Sequence, residues 1–72
     1  MSDQQIIREA IAAGLLPGEW NCEPGTTRLQ WLRYRAAWAR EERVLHPEMT
    51  AYFRTVETNA DSEANREQRR LG

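Results

Sequence analysis

Residues 28–45 constrain this chain more than any other stretch. At about 100° per residue, Leu29, Leu32, Ala36 and Ala39 fall on one side of a helix, and Trp31, Tyr34, Trp38 and Leu45 fall on the other. Arg28 and Arg35 flank one edge of the aliphatic stripe, and Arg33 and Arg40 flank its other edge. A surface helix in a globular protein needs one apolar stripe. A second stripe must also be covered, either by another part of the chain or by a different molecule.

The segments on either side also read as helices. Ser2 is a good N-cap with Gln5 as its capping-box partner, and Ile6, Ile7, Ala10 and Ile11 lie on one face. Gly14 can take the left-handed C-cap and Pro17 forbids continuation, so the first helix spans about residues 3–13. Leu15 can then fold back on the last turn. Residues 15–26 form a connector with turn signals at Pro17-Gly18 and Pro24-Gly25. Its Leu15, Leu16 and Trp20 are too apolar for a solvated loop and suit a plug over the core. Thr27 can cap the second helix, with Gln30 in the reciprocal position. Pro47 suits the first turn of a third helix and Glu48 its positive end. Met49, Tyr52, Phe53 and Val56 follow at i, i+3, i+4 and i+7, and Asn59 is the expected C-cap, giving a helix over about 48–58.

Residues 60–72 offer almost no apolar surface, too little to offset the entropy of ordering them. They are expected to be a mobile tail, with a short helix capped at Asp61 or Ser62 as the alternative. The fold class expected is all-α, a three-helix mini-domain over residues 1–59 followed by a flexible polar tail. In the simplest arrangement the first helix packs on the small aliphatic face of the second, and the third packs on the aromatic face.

A chain of 72 residues is one domain at most, and a domain this small buries only about 60% of its unfolded surface. A catalytic pocket of about 300 Å³ or more would consume much of that core, which argues against an enzyme. The single cysteine, Cys22, precludes an internal disulfide and fits a reducing compartment. No signal peptide and no apolar run of about 20 residues is present, so a cytoplasmic protein with no membrane partner is expected. A zinc site needs about four suitably spaced ligands. His46 and Cys22 stand alone, so no metal or cofactor is expected. Glu19 and Glu23 would blunt the Cys22 thiol, and His46, just before Pro47, suits a place at a helix start.

The basic residues, ten in all, are arginines without exception. GC-rich coding explains this, and so does selection for interfaces and anion contacts. The formal net charge of −1 leaves no global field to attract nucleic acid. Arg28, Arg33, Arg35 and Arg40 nonetheless form a local +4 with no acid between them. They suit a solvated helix face, a nucleic-acid contact or an acidic protein surface. The long gap before the second helix does not match the three- or four-residue turn of a helix-turn-helix. Candidate partner contacts are therefore Arg28, Arg33, Arg35 and Arg40, with Trp31 and Trp38 as anchors should they be exposed.

With its length, its lysine-free composition, the capped start from Ser2 to Ile7 and the central helix, the chain resembles small phage-encoded regulators, of the Xanthomonas-phage type, that bind host bacterial RNA polymerase. The resemblance spans the chain through these general features, and no functional residue is transferred by it. It implies a protein that binds host RNA polymerase in the host cytoplasm, blocks promoter recognition and permits readthrough of terminators. Two further classes stay open: a nucleic-acid-binding protein using the arginine-rich helix, and a self-assembling structural or virion protein.

Overall fold

The computed structural model describes residues 2–18 and 26–72, without the side chains of residues 26 and 27. Helix α1 spans Asp3–Ala12, α2 Thr26–Leu45 and α3 Thr50–Leu71, with a 3-10 turn at Pro47–Met49 between the last two. No strand occurs among the described residues. Trp20, Cys22, Glu19, Glu23 and the Pro24-Gly25 turn lie outside them.

The helix boundaries follow local chemistry. Ser2 Oγ accepts from the Gln5 amide at 3.2 Å. The Gln5 side chain donates to Glu9 Oε1 at 3.5 Å, so only half of the expected capping box forms. At the other end Gly14 sits at φ 80°. There the Leu15 amide donates to the Ala10 carbonyl and the Gly14 amide to the Ile11 carbonyl, both at 3.0 Å. This pair of bonds is a Schellman ending, which uses glycine because a Cβ is disfavoured at positive φ. Helix α2 begins at Thr26, ahead of the expected cap Thr27, so its cap falls outside the described residues. Pro47 opens the 3-10 turn, where its missing N–H costs nothing. The Thr50 hydroxyl donates to the Pro47 carbonyl at 2.6 Å as α3 starts.

Helices α1 and α3 both pack on α2, and both run antiparallel to it. Asp3, at the start of α1, meets Arg40 near the end of α2, and Leu16, just beyond α1, meets Trp31 near its beginning. Phe53 and Val56 of α3 pack on Ala39, and Ala64 packs with Leu32 and Trp31. One end of the bundle therefore holds the α2–α3 hairpin turn. The opposite end holds the start of α2 and the end of α3.

The central helix is covered on two sides by its own chain. Leu32 and Ala39 face α3, while buried Tyr34 and Ala37 lie about 200° round from them. The expected pairing is corrected here: α3 takes the aliphatic stripe, Leu32 and Ala39, together with the edge of the aromatic one. Small Ala36, Ala37 and Ala39, all fully buried, let the flanking helices approach closely. Trp38 meets Phe53 edge-on, centroids 5.4 Å apart, a favoured aromatic geometry.

The expectation for residues 60–72 is also corrected. They are not a mobile tail but the second half of α3, with neither a break at Asn59 nor a new cap at Asp61. Ala60, Ala64 and Glu67 are buried. They continue the stripe begun by Phe53 and Val56 at spacings of three and four. The small side chains bury little area themselves, but they bring α3 close enough to cover Leu32 and Trp31. Met49 and Tyr52, expected on the core face, are instead exposed at the hairpin end.

Candidate protein-binding site

The sequence-predicted contact residues divide into two groups. Trp31, Trp38 and Arg40 serve the inside of the bundle. Trp31 is only 5% exposed, and its indole N–H donates to the Leu16 carbonyl at 2.8 Å. Trp38 is half-buried against Phe53. The condition for these two tryptophans to anchor a partner, exposure, is not met.

Arg40 joins all three helices. Its Nε and Nη2 donate to the two carboxylate oxygens of Asp3 at 2.7 and 2.8 Å. Its Nη1 donates to Glu57 at 3.2 Å and lies 3.5 Å from Asp61. Arg43 donates to the other Glu57 oxygen at 2.8 Å. The hydrogen bond from Arg40 holds the Asp3 carboxyl below its ordinary value of 3.8. Asp3, Glu57 and Asp61 in turn hold the Arg40 guanidinium more firmly protonated than usual. Burial pushes the Tyr34 phenol above its ordinary value.

Arg28, Arg33 and Arg35 form the second group, Arg28 and Arg33 toward the other end of the bundle and Arg35 at mid-helix. Arg33 donates to Gln68 Oε1 of α3 at 2.5 Å. Arg35 donates to the Pro17 carbonyl at 2.6 Å, with its guanidinium carbon 5.7 Å from the centroid of a Trp31 ring. That placement combines a charge-assisted hydrogen bond with a cation–π contact. Arg28 lines an open groove of about 610 Å³ with Leu32, Glu63, Arg66, Glu67 and Arg70. Within it Arg70 pairs with Glu67, whose buried carboxylate holds the arginine above its ordinary pKa. Arg66 and Arg69 are exposed and make no ion pair among the described residues.

Arg28, Arg33, Arg66, Arg69 and Arg70, from two helices, therefore lie toward one end of the bundle, where Arg28, Arg66 and Arg70 share a groove with Glu63 and Glu67, while Arg35 sits at mid-helix. The α3 contribution came from a segment expected to be mobile. Its signal was present in the sequence: Arg66, Arg69 and Arg70 stand at i, i+3 and i+4, neighbouring positions on a helix surface. Preformed helices can present such charges to a partner with little ordering cost.

The fold and this end define a small all-α bundle with an arginine-lined groove. Among the described residues no group of three or more His, Cys, Asp or Glu side chains is placed to hold a metal ion. Among them no helix is long and apolar enough to cross a membrane. No protein-family model, no curated protein and no solved structure matches the chain.

Proposed function

We propose that the protein works by stoichiometric binding to a larger protein, through its arginine-lined end. The observation that carries this reading is the convergence of Arg28 from α2 with Arg66 and Arg70 from α3 around one open groove, with Arg33 bonded to Gln68 and Arg69 exposed on the same part of the bundle. Its complement is an acidic protein surface, because planar guanidinium groups recognise carboxylates in pairs. Following the resemblance to small phage regulators, the partner is host bacterial RNA polymerase. The action is inhibition of initiation, with antitermination as the second effect. The protein then acts as a cover on its partner rather than as a catalyst.

Nucleic acid is the weaker partner on this reading. Arg40 and Arg43 are committed to Asp3 and Glu57, so fewer cations of α2 remain to meet phosphates.

The experiment is an affinity capture from bacterial lysate with the tagged protein, with and without nuclease, read by mass spectrometry. Nuclease-resistant recovery of RNA polymerase subunits is expected. Loss of every partner on nuclease treatment would replace the reading with nucleic-acid binding.

A further inference from the structure

The large apolar side chains left to solvent are not spread over the bundle. Among the described residues they are seven, each 42–78% exposed, and they collect at its two ends. Val44, Leu45, Met49 and Tyr52 lie at the hairpin end, and Ile11, Leu16 and Leu71 lie at the arginine end. Scattered exposed apolar residues need no explanation, whereas clustered ones mark contact surfaces.

The two ends are opposite in charge. The hairpin end carries Glu41, Glu42 and Glu48, while its arginines, Arg40 and Arg43, are turned onto Asp3 and Glu57. Glu42 and Glu48 have only His46 between them, at 3.3 and 3.5 Å, and Glu41 makes no ion pair among the described residues. An open groove of about 660 Å³ lies here between the start of α1 and the end of α2, lined by Glu41, Val44 and Leu45 and by Asp3, Arg40 and Arg43, whose charges are taken up in the clamp. The opposite end has Arg28, Arg33, Arg66, Arg69 and Arg70 against Glu63 and Glu67, with Glu19 and Glu23 outside the described residues.

We infer that the chain associates head to tail with further copies of itself, the apolar acidic hairpin end of one bundle seated on the apolar arginine end of the next. Pairing like ends would bring Glu41 and Glu48 against their own copies, or arginine against arginine, and like charges in contact are disfavoured. The ends lie apart along a bundle 36 Å long, so one molecule cannot satisfy itself. A contact between different ends is heterologous and propagates into rings or open chains. The cross-section, 24 × 23 Å, limits each face to on the order of 400 Å², about half of a standard interface. The association is therefore weak and concentration-dependent. It covers the same groove that the proposed partner would occupy, so the two contacts compete.

Sedimentation velocity on the purified protein, from about 10 µM to about 1 mM at low and high salt, tests this. The average mass is expected to rise with concentration beyond that of a dimer, and to fall with salt. The Glu41→Arg/Glu48→Arg and Arg66→Glu/Arg69→Glu variants should each remain monomeric alone and associate when mixed, because their ends are again complementary. A monomer at every concentration overturns the inference, as does a dimer that grows no further and ignores charge reversal. Circular dichroism confirms the fold of each variant, and the wild-type series decides alone if one loses helicity. RNA polymerase is absent throughout, so failure here is distinct from failure of the proposed function.

Discussion

Arg40 offers the sharpest test of how the bundle is held together. Among the described residues α1 buries only Ala10 completely. Its attachment depends heavily on the bidentate Arg40–Asp3 pair and on the Trp31 and Arg35 bonds to the connector carbonyls. The Arg40 and Asp3 side chains are 31% and 38% exposed, so solvent screens the pair. Exposed pairs contribute about 0.2–1 kcal/mol, and bidentate geometry places this one near the top, at about 1 kcal/mol. A double-mutant cycle of Arg40→Gln and Asp3→Asn, read by urea melts, isolates that coupling. Losing about 1 kcal/mol should lower Tm by about 4–8 °C in a domain of this size. The sign of the pH effect follows from Asp3. Its folded pKa is depressed, so the stabilisation is present at neutral pH and is lost as pH falls below the ordinary value of 3.8, through the folded value. Asp3→Asn should remove that acid-side slope. A coupling energy below about 0.2 kcal/mol would refute the clamp.

Three further outcomes are expected. Deleting residues 60–72 should cost at least about 3 kcal/mol, because it uncovers Leu32 and Trp31; an unchanged urea midpoint would contradict the packing of α3. Trp31→Phe should cost about 1 kcal/mol through loss of the bond to the Leu16 carbonyl, measured by thermal melts. Hydrogen exchange should show α1 amides protected less than those of α2 and α3, since α1 has the smaller buried face and should open first. Equal protection in all three helices would argue for a single cooperative unit.

Much of the fold was legible because its signals are local. Ser2, Gly14 and Pro47 mark helix ends through backbone chemistry that needs no tertiary context, and the two-sided pattern of α2 required cover on both sides. The second half of α3 was not legible for a physical reason. Ala60 and Ala64 contribute little area and score as weak apolar residues, yet their smallness is what allows α3 to close over Leu32. Glu67 reads as solvated, but it is buried and paired with Arg70. The candidate site was legible only in part. Arg28 shares a groove with Arg66 and Arg70 of α3, Arg33 bonds Gln68 and Arg35 the Pro17 carbonyl, whereas Arg40 is held by Asp3, Glu57 and Asp61, which are distant in sequence. Replacing Arg33 and Arg40 together by glutamate therefore mixes a binding effect with loss of the clamp. Arg33, Arg66 and Arg69 are the cleaner set.

On the proposed function, the arginine-lined end binds an acidic surface of bacterial RNA polymerase. Titration of purified RNA polymerase with the wild-type protein and with the Arg33→Glu/Arg66→Glu/Arg69→Glu variant decides this. Stoichiometric binding by the wild type is expected, with at least a roughly tenfold loss, about 1.4 kcal/mol, in a variant of unchanged helicity. Equal binding by that variant would remove this end from the interface, and no binding by the wild type would remove RNA polymerase as the partner.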